Sequence, residues 1–269
     1  MAQVHPELTL APGAANAAAE TAPRIRTISV QDVQDALTAG IDDFRSMPRH
    51  TIFLVAIYAV VCLLLIMMTF NYDMVQLVFP FCAGFTLIGP VAAVGLYELS
   101  RRREQGMDTD WWQMFSAGRA GSRGGILLLG FALLVFFLLW VSTAHAIFVA
   151  TFGEGRIPPG RFLGELFTTG HGWALIVIGN AVGAVFALLA FMTTAVSFPM
   201  LVDRRVSAVT AVSTSVEAVA RNPKPMLAWA WIVVVGLALG SLPAFVGLAV
   251  VLPVLGHATW HLYRKLVER

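Results

Sequence analysis

The chain has 269 residues, of which 58% are hydrophobic and only 13% are charged. Soluble domains carry about 25% charged residues because they must present a polar exterior to water. This deficit excludes an ordinary soluble domain, and the formal net charge of +2 gives no support for nucleic-acid binding.

Residues 1–29 are rich in alanine and proline and lack the apolar core of a secretory signal. A segment of this composition cannot bury enough apolar surface to fold. We therefore predict a disordered N-terminal arm over 1–29 and a transmembrane domain over 30–269.

Six apolar segments follow the arm, and a helix needs about 20 residues to cross the hydrocarbon core. The last two segments form one tract that Pro243 interrupts, and a single helix through this proline would be too long to span once. We therefore predict an all-α bundle of six transmembrane helices. The predicted spans are Thr51–Phe70, Met74–Leu99, Gly125–Ala150, Trp173–Val202, Met226–Gly240 and Leu242–Tyr263.

Basic residues are distributed unequally between the two ends of these spans. All lysines and arginines except Arg156 and Arg161 fall on one side. Because cytoplasmic loops carry the excess of basic residues, both termini are predicted in the cytoplasm. Termini on one side require an even number of spans, which supports the division of the last tract.

Short amphipathic helices are predicted at the membrane surface before the outward-going spans. The first is predicted to begin at Ser29, an N-cap residue with an acid, Asp32, three residues later, and to end before Pro48. The second covers residues 207–222, and residues 109–118 form a shorter copy. Asp32, Asp35, Asp42 and Asp43 are expected largely off the apolar face of the first helix, which consists of Val30, Val33, Leu37, Ile41 and Phe44.

These elements predict a threefold hairpin repeat of interfacial helix, outward span, inward span and basic end. The copies cover residues 29–103, 108–205 and 207–269. Alignment of Pro90 with Pro253 supports the repeat, whose axis would lie along the membrane normal.

Ionisable residues inside a membrane are costly and are therefore candidates for function. His257 and His261 share a helix face, a spacing that can bind zinc when a third ligand is present. A belt of polar and aromatic side chains at the headgroups is the favoured alternative, and no metal or other cofactor is predicted. The candidate cluster, functional or packing, lies on the cytoplasmic side and consists of Glu98, Arg101, Asp203, His257, His261 and Arg264.

Two further interpretations concern Glu98 and the remaining histidines. Glu98 is expected to form a structural ion pair with a neighbouring arginine or with Arg264, and a proton relay is the alternative. Haem is not favoured, because His145 and His257 lie near opposite ends of their spans. His171 shares the depth of His145 but lies in a Gly-His-Gly turn that is expected to be flexible.

Prolines and small residues carry information about helix shape. The inward-going spans contain prolines that are predicted to kink their helices, namely Pro80, Pro90, Pro199 and Pro253. Gly179 and Gly183 form a small-xxx-small packing face, and Asn180 is expected to form a hydrogen bond across helices.

The run from Phe79 to Arg102, which contains Phe-Pro-Phe, Leu-Ile-Gly-Pro and Gly-Leu-Tyr-Glu-Leu-Ser-Arg-Arg, resembles an uncharacterised bacterial family of integral membrane proteins, domain of unknown function 2189. The run Leu252–Arg264 is similar to a second signature of that family, and Asp43-Phe44 with Pro48 fits as well. The resemblance covers roughly residues 30–267. It implies a multi-span membrane protein and brings no established activity.

Three functions follow from these observations. Few buried charges and short loops favour a non-catalytic binding, assembly or scaffolding component, whose partners are the lipid bilayer and other membrane proteins. Kinked inward helices favour a small transporter or channel as the alternative. A metal- or haem-dependent membrane oxidoreductase component is the second alternative, and it depends on His257, His261 and Glu98. Enzyme activity is the less expected outcome.

Overall fold

The structure is a computed structural model, which describes residues 23–47, 63, 67, 75–87, 89–154, 157–242 and 247–268. Apart from Leu63 and Met67, the predicted first span lies outside the described residues, as does the arm over residues 1–22. The described part of the chain is helical, with one isolated antiparallel bridge between Ile25 and Val267. An all-α fold is therefore confirmed for this part of the chain.

The described residues form eleven α-helices with assigned bounds, which are numbered in chain order. They are α1 Val30–Ser46, α2 Val78–Leu87, α3 Gly89–Ala92, α4 Val94–Glu104, α5 Arg123–Phe152, α6 Pro159–Thr168, α7 Gly170–Thr194, α8 Ser197–Asp203, α9 Ala208–Arg221, α10 Pro223–Ser241 and α11 Leu248–Leu266. Short 3₁₀ helices occupy Val75–Leu77 and Trp111–Ser116.

Three of the described helical segments are long and apolar enough to cross a membrane. They are α5, the stretch from Gly170 to Asp203 that includes α7 and α8, and α10. These segments match the predicted third, fourth and fifth spans to within a few residues at each end. The predicted sixth span corresponds to α11, which follows α10 as the second arm of a hairpin.

In the predicted second span the described residues form a 3₁₀ turn, α2, α3 and α4 between Val75 and Glu104. Ile88, between α2 and α3, lies outside the described residues, and Ala93 separates α3 from α4. Pro90 lies in α3 and has no backbone N–H to donate, so the helix ladder cannot run unbroken through this position. Pro199 differs, because it lies in the first turn of α8, where its missing N–H breaks no bond within the helix. Pro253 is inside α11, and Pro80 is near the start of α2.

The largest buried cluster lies at the end of the bundle that carries Arg101–Arg103, Arg204, Arg264 and Lys265, which we call the arginine-rich end. It contains buried residues of α1, α4, α8, α9 and the last part of α11. Helix α1 packs along α11 more extensively than any other described pair of elements. A Cβ atom on Gly40 would lie 2.5 Å from the Ala258 backbone nitrogen, so only glycine allows this approach.

Helix α1 begins as predicted but buries a different face. The capping box between Ser29 and Asp32 is present. Val30 is exposed, and Asp43, which was expected off the buried face, is only 3% exposed. The close approach to α11 is the reason, because it selects a face of small residues at the crossing. The buried residues of α1 are Val33, Ala36, Gly40 and Asp43.

The two ends of the described chain meet beside α9. The Arg26 amide donates to the Leu266 carbonyl at 2.8 Å, and the Glu268 amide donates to the Arg24 carbonyl at 3.0 Å. Buried Asn222, the C-cap of α9, accepts from the Ile28 amide at 2.8 Å. Residues 24–28, which fall within the predicted arm, are therefore hydrogen-bonded to other parts of the chain.

The loop over residues 151–172 contains a helix that the sequence analysis did not predict. This helix, α6, turns Phe162 towards Phe148 and Phe152, with ring centroids 6.2 and 6.1 Å apart. His171 lies in the first turn of α7, where Thr169 is the N-cap, so the expectation of a flexible turn is wrong. Only glycine at position 172 allows the start of α7 to approach α6 so closely, because a Cβ there would lie 2.2 Å from the Leu166 carbonyl oxygen.

The predicted surface segments differ in structure. Residues 30–46 and 208–221 are α-helices with serine N-caps, and α9 ends at the predicted Asn222-Pro223 boundary. The middle copy is only the 3₁₀ helix Trp111–Ser116. The threefold repeat and the full set of six spans therefore remain predictions.

Candidate functional site

Asp43 is a buried carboxylate on α1 that receives hydrogen bonds from two other helices. Ser100 of α4 donates its hydroxyl to Oδ2 at 2.5 Å, and the His261 Nε2 atom of α11 lies 2.9 Å from the same oxygen. Arg103 of α4 donates to Oδ1. One carboxylate therefore joins α1, α4 and α11.

The protonation of this group follows from its contacts. Burial raises the pKa of the Asp43 carboxyl, but hydrogen bonds from His261 and Ser100, with the charge of the two nearby histidines, lower it to about 2. The ionised carboxylate can only accept, so Ser100 uses its single proton on Asp43. His257 Nδ1 lies 2.8 Å from the Ser100 oxygen and must then donate its own proton to it.

Glu98 forms a second buried centre, on α4. Its side chain is 1% exposed, and Arg101 binds it with two nitrogens at 2.7 and 2.9 Å. Arg102 adds a third bond at 2.8 Å. The Glu98 carboxylate raises the pKa of the Arg101 guanidinium, since it stabilises the charged form. Of the two partners predicted for Glu98, the structure therefore shows neighbouring arginines and not Arg264.

Arg264 instead connects α11 to two other helices. Its guanidinium lies 3.4 Å from Asp203 at the end of α8 and 3.1 Å from Glu104 at the end of α4. The Tyr263 hydroxyl donates to Asp203 at 2.8 Å, and the Trp260 indole donates to Glu104 at 3.1 Å. Carboxylates at two helix ends are thus held by consecutive turns of α11.

A further contact fixes α1 to the end of α11. The Lys265 ammonium lies 3.0 Å from Asp32 and 3.0 Å from Asp35. Hydrogen bonds from the Ser29 backbone and hydroxyl, and then from Lys265, lower the pKa of Asp32 to about 2. The same carboxylate therefore caps its own helix and binds the last helix.

All six residues of the predicted cluster lie at the arginine-rich end, but they do not form one constellation. His257 and His261 contact Asp43, whereas Glu98 with Arg101 and Asp203 with Arg264 form two other groups. The sequence analysis missed several members of these groups, which are Asp43, Ser100, Arg103, Glu104, Trp260 and Tyr263. The only sequence signal for Asp43 was its place in the Asp43-Phe44 pair of the family resemblance.

The chemistry of the Asp43 group differs from that of a nucleophilic triad. In a triad the histidine lies between the serine and the carboxylate and removes the serine proton. Here Ser100 lies between Asp43 and His257, and its proton is held by the carboxylate. Ser100 is also 1% exposed. These contacts join helices, and they lack the serine–histidine–carboxylate order of a nucleophilic triad.

The histidine geometry is that of hydrogen bonding. A zinc–nitrogen bond is about 2.0–2.1 Å long, so an ion held between two ligands separates them by more than a hydrogen bond does. His261 Nε2 instead contacts Asp43 directly at 2.9 Å. Among the described residues, no group of three or more histidine, cysteine, aspartate or glutamate side chains is arranged to hold a metal ion. His145 and His171 lie exposed on α5 and α7.

A family model described as "Predicted integral membrane protein (DUF2189)" matches residues 78–203. This match spans just under half of the chain. The match confirms the resemblance drawn from Phe79–Arg102, while the run Leu252–Arg264 lies outside it. No curated protein and no solved structure matches the chain. The protein is accordingly an integral membrane protein with several apolar helices.

The DUF2189 region supplies only part of the polar groups just described. Helix α4 and the end of α8 belong to it and carry Glu98, Ser100 and Asp203. Asp43 and the two histidines come from α1 and α11, which lie before and after the region. The flanking helices therefore complete the arginine-rich end of the DUF2189 region.

Proposed function

We propose that this protein is a non-catalytic assembly component of a bacterial inner membrane and binds a partner membrane protein along α7. The observation that carries the proposal is the unburied surface of this helix. In its most apolar window only 6% of the residues are buried within the protein, against 22% for α5 and for α10. Helix α7 is therefore the most peripheral of the three described candidate spans.

Asn180 makes this surface unsuited to lipid alone. It is exposed and lies about 10 Å along the helix axis from Trp173, where the predicted fourth span begins, and so within a hydrocarbon core about 30 Å thick. Its amide nitrogen bonds the Ile176 carbonyl of the same helix at 2.7 Å, and within the described residues its Oδ1 atom has no hydrogen-bond partner. Amide side chains in hydrocarbon are stabilised by hydrogen bonds across helices, so Asn180 favours a helix from a partner at this surface.

The arginine-rich end supports the non-catalytic part of the proposal. Glu98 is bound by arginines of its own helix, whereas Asp43 and Asp203 are bound by side chains of helices that are distant in sequence. Such a network holds the spans in fixed positions, as a component that positions a partner requires.

We further propose six spans with both ends of the chain in the cytoplasm. The bridge between Ile25 and Val267 supports an even number of crossings, because both residues must lie on one side of the bilayer. The three described candidate spans, the α11 segment, the broken second segment and Thr51–Phe70 together give six. The basic residues of the arginine-rich end support a cytoplasmic position for that end.

Single cysteines in a variant lacking Cys62 and Cys82 test the orientation. Gln105→Cys lies at the arginine-rich end, and Gly160→Cys lies on α6 at the other end; both positions are exposed. A membrane-impermeant maleimide added to intact cells should label position 160 and spare position 105. The reverse pattern, or labelling of both positions, would refute the orientation.

Photo-crosslinking in native membranes tests the assembly role. A benzoylphenylalanine at Val177, on the exposed surface of α7, should give a discrete adduct of higher mass, and Asn180→Leu should abolish it. Val185→Leu, also exposed on α7, is the matched control and should leave the adduct unchanged. The absence of adducts along α7, together with a monomer in mild detergent, would refute the proposal.

A further inference from the structure

We propose that the 3₁₀ helix Trp111–Ser116 and the turn after it form a binding site for the phosphate-ester region of phospholipids at the arginine-rich end. The inference starts from the exposed aromatic side chains of Trp112 and Phe115. Trp112 is 65% exposed and Phe115 is 68% exposed, and the ring of Trp111 stacks on Trp112 with centroids 3.6 Å apart. An exposed apolar cluster of this kind is rarely left in water and marks a contact site.

The other side of the same 3₁₀ helix is fixed to α4. A Cβ on Gly95 would lie 2.9 Å from the Met114 side chain, which shows how closely the two elements approach. Buried Ser116 donates to the Gln113 carbonyl at 2.6 Å and accepts from Arg102 at 3.1 Å. The aromatic rings therefore project from a segment whose inner side is held by packing and hydrogen bonds.

The position of this segment along the bundle agrees with the edge of a membrane. Gly118 lies against Ile126, and Gly121 lies against the backbone of Leu201, so the turn is level with the first residues of α5 and with α8. Leu127 and Leu128 of α5 are exposed and begin the apolar surface of that span. Tryptophan is enriched at this boundary, where an apolar ring meets lipid and a polar edge meets headgroups.

Two arginines supply the charge that phosphate needs. Arg119 and Arg123 are exposed and, among the described residues, form no ion pair with Asp108, Asp110 or any other acid. Arg101–Arg103 differ, because all three are bound by buried carboxylates. Arginine binds phosphate oxygens through paired N–H donors, and phosphate is common to the phospholipid headgroups. Exposed aromatic rings on the 3₁₀ helix, followed by a turn in which Arg123 lies against Gly118, therefore match the phosphate-ester region better than they match an apolar protein surface.

Depth-dependent fluorescence quenching tests the site in the full-length protein. The protein is reconstituted into vesicles of phosphatidylethanolamine and phosphatidylglycerol whose acyl chains carry bromine at a shallow or a deep position. The part of the tryptophan emission that is lost in the variant Trp111→Phe/Trp112→Phe comes from these two residues. In the unsubstituted protein, this part should be quenched more strongly by the lipid with shallow bromine than by the lipid with deep bromine. The matched control is Trp231→Phe, which removes an exposed tryptophan about 12 Å inside α10, and its component should be quenched more strongly by the deep bromine.

A second measurement tests the arginines. Arg119→Gln/Arg123→Gln should reduce the phospholipid retained in mild detergent and shift the Trp111–Trp112 emission to longer wavelength. Arg205→Gln, which removes an exposed arginine from the same end, should do neither. Inorganic phosphate added to the detergent-solubilised protein should not reproduce the effect of lipid, and if it does, the site binds free phosphate and the proposal fails.

Quenching of the Trp111–Trp112 component by aqueous acrylamide but not by either bromolipid would overturn the proposal and indicate water or a protein partner at this surface. The test is independent of the assembly role, because crosslinking at α7 can fail while the shallow quenching remains.

Discussion

Replacement of Asp43 by asparagine removes the charge on which donors from α4 and α11 converge. The amide keeps one acceptor oxygen, but its nitrogen can no longer accept a hydrogen bond from Ser100, His261 or Arg103. Hydrogen bonds to a charged group contribute about 1.5–3 kcal/mol each, and loss of one member of a buried charged pair costs about 3–5 kcal/mol. Arg103 is 41% exposed and adds little, so we expect Asp43→Asn to destabilise the protein by about 3 kcal/mol.

Thermal unfolding in mild detergent measures this effect. For a chain of this size, 1 kcal/mol shifts the midpoint by about 2–4 °C, so Asp43→Asn should lower it by about 6–12 °C. Asp42→Asn is the matched control, because Asp42 is the exposed neighbour on the same helix and its replacement should change stability by less than about 0.5 kcal/mol. Equal midpoints for the two variants would show that the buried carboxylate does not hold the helices together.

The pH dependence provides a second measure of the same group. The pKa of Asp43 is lowered from 3.8 to about 2 in the folded protein, so its ionised form stabilises the fold above pH 3.8. That stabilisation, about 2 kcal/mol, is lost as the pH falls towards 2. The difference in midpoint between wild type and Asp43→Asn should therefore be constant above pH 4 and decrease between pH 4 and 2. A difference that stays constant over this range would contradict the assignment.

Three further substitutions test the packing and the second buried charge by the same thermal measurement. Gly40→Ala places a methyl group 2.5 Å from a backbone atom of α11 and should lower the free energy of unfolding by about 1–3 kcal/mol. Gly164→Ala is the control, because its methyl group meets no atom within 4 Å and should not lower the stability. Equal effects of the two substitutions would refute the close crossing. Glu98→Gln leaves two arginines without their carboxylate and should cost about 3–5 kcal/mol. Glu217→Gln breaks only an exposed pair and should cost less than about 1 kcal/mol, so a similar loss in both glutamate variants would contradict the role of burial. Trp140→Phe removes the indole donor to a carbonyl of α2 at 2.9 Å and should cost about 1–2 kcal/mol, and an unchanged midpoint would show that this bond contributes nothing.

The spans were predictable because lipid imposes a simple requirement on the backbone. Each polar backbone group in hydrocarbon needs an internal partner, so a long apolar run becomes a helix. The predicted Gly125–Ala150 and Met226–Gly240 therefore fall within α5 and α10. Hydropathy does not report helix continuity, but the proline pattern predicted a kink at Pro90, and the division between α3 and α4 lies just after it.

The contacts of the polar side chains were likewise predictable only where the two partners are close in sequence. Glu98 binds Arg101 and Arg102, which lie three and four residues away, and the sequence analysis anticipated a neighbouring partner. Asp43 binds His261 across 218 residues, and no local pattern reports such a contact. The buried face of α1 was also misjudged, because its crossing with α11 depends on small side chains that a hydrophobic periodicity does not detect.

The distance between Asp43 and His261 along the chain also bears on biogenesis. At synthesis rates of about 5–20 residues per second, the 218 residues between them separate the emergence of α1 from that of α11 by roughly 10–40 s. Throughout this interval the Asp43 carboxylate can bind Ser100 and Arg103 of α4 but not His261, and Gly40 lacks the last helix that it contacts. The docking of α1 is thus completed only when the last helix has been made, and a nascent chain arrested before α11 would leave one side of this buried carboxylate uncovered.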